Sequence, residues 1–203
     1  MKTFMVLLFL TLPLLGLGQI NAYNSLRVGA TVIAKKQSVE YGLREELRFF
    51  SDSSRKNTAI LAPSLGFLFN DRSKLRVSYW FILNEVVGSR LNVDYINDFD
   101  WIESRLRLQV GWDEFGDNAQ YIRHLLVFKA KDVEGFFNPS ADFEVFHEIG
   151  SLYMLDRYRG GVANKFRVSE SMIITVGLQN QQFADKRLGR DYLYRVRITY
   201  KVI

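Results

Sequence analysis

The sequence predicts an all-β fold, an antiparallel up-and-down transmembrane β-barrel of 10 or 12 strands. Three observations predict it. From about residue 26 to the last residue, apolar and polar side chains alternate in blocks of roughly ten residues, the length a tilted membrane-crossing strand needs. The polar set in these blocks is rich in arginine, and the apolar set carries tyrosine and tryptophan near the block ends. The first 18 residues read as an export signal, and no long apolar run follows them.

The chain has 203 residues, is 14% aromatic and 48% apolar, and carries a net charge of +5. That length suits one domain, and the apolar content excludes a disordered chain. The absence of cysteine excludes disulfides, thiolate metal sites, cysteine nucleophiles and a lipid anchor on an N-terminal cysteine. The basic residues are spread through the blocks instead of gathered in a run, which argues against a nucleic-acid partner. In residues 1–18, Lys2 gives the positive start and Phe4–Leu17 is an apolar run too short for a spanning helix. Gly16 and Gly18 supply the small residues that a signal peptidase reads, so cleavage after Gly18 leaves Gln19 first. Residues 19–203 then form a single barrel domain, exported to a bacterial outer membrane. Its expected surroundings are outer-membrane lipid and lipopolysaccharide, with the barrel-assembly machinery as a partner during insertion.

Taken in order, Leu26–Lys35 sets Leu26, Val28, Ala30, Val32 and Ala34 against Arg27, Gly29, Thr31, Ile33 and Lys35, and Lys36-Gln37 turns the chain. Val39–Phe50 sets Tyr41, Leu43, Leu47 and Phe49 against Glu40, Gly42, Arg44, Glu46 and Arg48. Glu45 breaks the apolar phase there and implies a headgroup boundary or a bulge. Ser51–Asn57 is a polar loop. Ala59–Phe69 is apolar on both faces, and Pro63, which lacks a ladder donor, is expected near a strand end or bulge. Asn70–Ser73 is a turn. Leu75–Asn84 alternates, a shorter strand spans Arg90–Ile96, and Asn97-Asp98 is a possible turn.

Glu103–Asp113 alternates without a break: Glu103, Arg105, Arg107, Gln109 and Gly111 on one face, Ser104, Leu106, Leu108, Val110 and Trp112 on the other. Phe115–Asn118 closes it. Tyr121–Lys131 puts Arg123, Lys129 and Lys131 on the polar side. Asp132–Ser140 is a loop. Ala141–Ile149 carries Asp142, Glu144 and Glu148 on one face; Asp156–Arg167 carries Arg157, Arg159, Lys165 and Arg167. Met172–Gln181 and Tyr192–Ile203 finish the chain, the last with Arg195, Arg197, Thr199 and Lys201 on its polar face. These are about eleven candidates. Bacterial single-chain barrels have an even number, so one strand in the region Arg90–Ile102 is split or missed, and both termini are expected on the periplasmic side.

The placement of charge separates a membrane barrel from a soluble one. Arginine makes fixed, forked pairs, and the acidic face of Asp142, Glu144 and Glu148 lies between the basic faces of its sequence neighbours. In an up-and-down barrel these faces meet, and paired charges fill a narrow lumen. The apolar faces, with Tyr192, Tyr200 and Trp112 near strand ends, suit interfacial girdles.

The stretches Arg44–Phe50, Leu61–Phe69, Leu75–Phe81, Arg105–Gln109 and Asp156–Phe166 together resemble a family of small Gram-negative outer-membrane barrels catalogued only as a domain of unknown function. The resemblance implies an outer-membrane barrel with polar interior strands, and it implies no catalytic residues. The chain departs from barrel custom in finishing on Ile203, with Tyr200 nearby, where an aromatic residue is usual.

Little chemistry is legible. His124 and His147 fall on the outward phase, as does Ser104, so no triad is visible. His147 and Glu148 are adjacent and point to opposite faces, which leaves no metal-ligand spacing and no cofactor motif. Gly160-Gly161 sits inside a strand and marks a bend or close packing. The acidic trio is expected to pair with Arg123, Arg157 and Arg159; the alternative is a protease-like or cation-binding cluster. The lumen charge network is therefore assigned to Glu103, Arg105, Arg107, Arg123, Asp142, Glu144, Glu148, Arg157, Arg159, Arg195 and Arg197. The expected function is non-enzymatic: an envelope structural protein or a narrow passage that leans toward anions. The alternatives are an outer-membrane lipid-modifying or proteolytic enzyme, and a secreted soluble barrel that binds an apolar ligand.

Overall fold

Eleven strands, hydrogen-bonded in sequence order, close on themselves in a computed structural model of the chain. It describes residues 22–51, 57–83, 88–112, 118–130, 137–149, 153–184 and 190–202. The expected export signal at 1–18, Ile203 and most of the expected turns at 51–57, 115–118 and 132–136 lie outside the described residues.

The strands are β1 (Ala22–Lys36), β2 (Val39–Phe50), β3 (Thr58–Leu68), β4 (Ser73–Leu83), β5 (Gly88–Asp98), β6 (Ile102–Trp112), β7 (Asn118–Lys129), β8 (Phe137–Ile149), β9 (Tyr153–Arg167), β10 (Met172–Phe183) and β11 (Arg190–Val202). Each sequence neighbour pairs antiparallel, as expected of an up-and-down barrel. The seam does not. β1 and β11 pair parallel, with Arg27 opposite Arg195 and Val28 opposite Val196.

That seam corrects two expectations. The strand number is eleven among the described residues, neither 10 nor 12, because parallel closure removes the need for an even count. The Arg90–Ile102 region holds one whole strand, β5, and the start of β6. Because β1 and β11 run the same way, β1 begins at one rim of the barrel and β11 ends at the other. The wall therefore cannot deliver both chain ends to one side. We call the rim where β1 begins the first rim, and the opposite rim, which carries the Gln37-Ser38 turn, the second. Gln37 takes the left-handed conformation there, with φ 55°.

Local departures follow from particular residues. Glu45 causes no bulge: β2 keeps continuous register with β1 and β3, and Glu45 faces outward in mid-strand between Ala30 and Leu61. Pro63 is not at a strand end. It pairs with Leu43 on β2, while the β3–β4 ladder skips Ala62 and Pro63 and resumes in the same register at Ser64. The expected loop at Asp132–Ser140 is shorter than read, since β8 already starts at Phe137 and includes Pro139. One irregularity lies between β8 and β9, where Phe146 pairs Arg157 but His147 pairs Leu155. The extra residue is Asp156. Consecutive strand residues normally face opposite sides; the bulge lets the Asp156 carboxylate meet the Arg157 guanidinium.

Alternation sends Leu106 and Leu108 outward, 39% and 49% exposed, and Arg107 inward at 4%. The interior also holds an apolar patch of Ile60, Ala62, Trp80 and Ile82 on β3, whose sequence was apolar on both faces, and β4, which was read as alternating.

Candidate functional site

The inward faces bring together carboxylates and arginines that are far apart in the sequence. Register decides which meet. Leu125 separates Arg105 from Glu144 in the row across β6, β7 and β8, and Arg159 follows Glu144 on β9. Glu144 thereby gathers three guanidinium groups, from Arg123 at 2.7 Å, Arg159 at 3.3 Å and Arg105 at 3.5 Å. Glu46 on β2 gathers three others: Arg44, Arg48 at 2.7 Å and Arg197 at 3.1 Å. Asp94 on β5 takes Arg107 and Arg76, each through a bond of 2.9 Å to its Oδ2. These carboxylates are 2%, 3% and 0% exposed for Glu46, Glu144 and Asp94. Such buried charges require close partners, and here each has two or three. Eight arginines share three carboxylates, so the interior carries an excess of positive charge.

Two inward aromatic rings organise the same groups. Phe146 lies under Arg123, Arg159 and Arg157, at 4.2, 4.9 and 5.2 Å from its ring centroid. Trp80 lies between Arg44 at 5.2 Å and Arg107 at 5.3 Å. Guanidinium groups stack favourably on aromatic faces. Trp80 also marks a waist. A cavity of about 650 Å³ extends from it toward the first rim, and one of about 350 Å³ toward the second. Trp80, Arg44, Arg105, Arg107 and Arg197 line both.

No protein-family model and no curated protein matches this chain.

Of the residues assigned from the sequence, Glu103, Arg105, Arg107, Arg123, Asp142, Glu144, Arg157, Arg159, Arg195 and Arg197 all line the larger cavity. Glu103 is placed there without an ion pair among the described residues. Asp142 accepts from Gln179 at 2.7 Å and from Arg195 at 3.4 Å. Arg157 makes no ion pair with the acids of β8 among the described residues; its ion pair is to Asp156. Glu148 sits beyond the bulge, opposite Tyr121 and Met154 in the register, and no ion pair is made by it among the described residues. His124 and His147 are both on the outer face, their ring centroids 6.4 Å apart.

Sequence reading missed the other two gathering carboxylates and the waist. Glu46 was already visible in the polar set Glu40, Arg44, Glu46 and Arg48 of β2. Its partners Arg44 and Arg48 were visible beside it; the third, Arg197, was not, because it comes from the far end of the chain. Asp94 lay in the stretch whose strand count was in doubt. Trp80 falls on the polar phase of β4, and that out-of-phase tryptophan was the signal for an inward ring.

Proposed function

We propose that the chain is an outer-membrane β-barrel, a member of the uncharacterised Gram-negative group that its sequence resembles, with a lumen that serves as a narrow, anion-leaning passage. One observation carries the proposal. The barrel is apolar outside and charged inside: thirty-two large hydrophobic residues are exposed, while fourteen buried polar or charged residues outnumber nine buried apolar ones among the described residues. A water-soluble monomer rarely exposes apolar patches beyond about 300–600 Å², and here exposed apolar residues occur on every strand from β1 to β11. On β2 the exposed apolar residues run from Tyr41 to Phe49, about 26 Å along a strand and about 20 Å of height at a tilt near 40°, near the roughly 25 Å of a membrane band, with Glu45 breaking the outward face between them. Exposed Trp101 and Trp112 mark opposite rims in the same way.

The unequal sharing of carboxylates by arginines supports a preference for anions. A second reading, an envelope structural barrel that does not conduct, is favoured by the waist, where Trp80 is held between Arg44 and Arg107. The enzymatic alternative gains nothing from His124 and His147, which lie on the outer face, away from the inward carboxylates. The soluble-carrier alternative needs an apolar interior, and this one is lined with arginine.

The test is extraction followed by planar-bilayer recording. The proposal expects a protein that needs detergent, changes gel mobility on heating, and gives small anion-preferring steps. A protein that stays dissolved without detergent, or large cation-preferring steps, would overturn it.

A further inference from the structure

Three arginines stand in one row at the seam. Arg195 on β11, Arg27 on β1 and Arg48 on β2 are direct register partners, so their strands are about 4.8 Å apart. Like charges placed directly opposite each other across a ladder are destabilising. Two of the three have an acid: Arg48 donates to Glu46 and Arg195 to Asp142. Arg27, in the middle, has no ion pair among the described residues, and its Nε is buried without a hydrogen-bond partner, as is the Nε of Arg195. Arg90 lines the same chamber and also has no ion pair among the described residues. Among the described residues, the wall of this chamber shows twelve arginine and lysine side chains against five aspartate and glutamate.

From this row we infer that the larger chamber binds a phosphate-type oxyanion, inorganic phosphate or the phosphate group of a monoester, on Arg27, Arg48 and Arg195. The inference rests on the proposed anion-leaning lumen and names its solute. A guanidinium fork is matched to an anion with several oxygens and offers paired N–H donors to it. Chloride has no second acceptor for the fork. A carboxylate has two oxygens and one charge; a phosphate has more of both, which suits three guanidinium groups that share only two partly engaged acids. Bound there, it would accept from the orphan N–H groups and relieve the repulsion along the row. A volume of about 650 Å³ falls within the range of small-molecule sites and leaves space for the organic part of a monoester.

The test uses the full chain folded in detergent and equilibrium dialysis with radiolabelled inorganic phosphate, competed by chloride, sulfate and glucose 6-phosphate at matched ionic strength. Saturable binding that chloride does not displace is expected. Stronger competition by the monoester would assign the site to phosphate esters, and competition by inorganic phosphate alone would assign it to the free ion; either supports the shared chemistry. Arg27→Gln should weaken binding by about tenfold or more, and Arg27→Lys, which keeps the charge and loses the fork, by less. Lys74→Gln, in the other chamber, should leave it within about twofold. Should Arg27→Gln fail to fold, phenylglyoxal labelling of Arg27 in the unaltered protein replaces it, with phosphate expected to slow the labelling. No saturable binding, displacement by chloride, undiminished binding by folded Arg27→Gln, or labelling indifferent to phosphate would overturn the inference. Phosphate binding without conductance removes the passage and keeps the site; anion-preferring conductance without phosphate binding removes the site and keeps the passage.

Discussion

Arg197 on β11 donates a hydrogen bond of 3.1 Å to Glu46 on β2, over the strand that lies between them. The residue on that strand, in register with both, is Gly29. With no side chain on β1 at this point, two groups from non-adjacent strands meet above it. The same device recurs at Gly161, which lies in register between Asp142 and Gln179 and leaves room for their 2.7 Å contact. Gly29 and Gly161 thus act as gaps through which an ion pair and a hydrogen bond skip a strand.

Gly29→Val tests this. A Cβ at Gly29 would lie 2.6 Å from the main-chain oxygen of Glu45, which cannot swing aside. The expected loss is about 1–3 kcal/mol of stability, measured by denaturant unfolding of the detergent-folded protein. Gly42→Ala meets the Ser64 hydroxyl, a movable side-chain atom, and should cost less. Equal effects at the two sites would contradict the gap role.

Removing an acid should hurt more than removing a base. Glu46→Gln leaves Arg44, Arg48 and Arg197 facing one another in the interior without their shared carboxylate. Breaking a buried pair in this way costs about 3–5 kcal/mol. Arg197→Gln leaves Glu46 with two arginines and should cost well under half of that. Unfolding curves for the two variants decide the matter, and the reverse order would show that the interior is not positively over-supplied.

Trp80 is the expected closure. Trp80→Ala should join the two chambers and raise single-channel conductance several-fold while keeping anion preference. The readout is the planar bilayer with folded protein whose heat-dependent mobility is unchanged. Conductance equal to that of the parent chain would place the constriction elsewhere.

The parallel seam can be read by cysteine cross-linking, which is clean because the chain has no native cysteine. Parallel pairing puts Ala30 opposite Ile198. An antiparallel seam through the same Val28–Val196 pair would instead put Leu26 opposite Ile198. Ala30→Cys with Ile198→Cys should therefore form a disulfide on mild oxidation, and Leu26→Cys with Ile198→Cys should not, since bridged Cα atoms must lie within about 7 Å. The opposite pattern would undo the eleven-strand closure.

Much of the wall was legible because strand side chains alternate with a period of two. Arg105 and Arg107 could be placed opposite Leu106 and Leu108 from their order alone, and the meeting of Glu144 with Arg123 and Arg159 followed from neighbours in sequence being neighbours in the sheet. The bulge at Asp156 was not legible, because Tyr153, Met154 and Leu155 before it are all apolar and hide the phase slip that an extra residue causes. Nor was the place of Arg197 in the Glu46 cluster, since it depends on which strand β11 finds.

By itself the sequence determined the face of each side chain and the pairing of each strand with the next, because both are local properties of an extended chain with short connections. The tertiary structure alone decided the closure. Whether the last strand runs parallel or antiparallel to the first depends on whether the number of strands is odd or even. Local alternation gave about eleven candidates, and the closed sheet decided for eleven over the even number that bacterial barrels usually have. That single choice puts Arg27 between Arg48 and Arg195, brings Arg197 across Gly29 to Glu46, and sends the two ends of the wall to opposite rims.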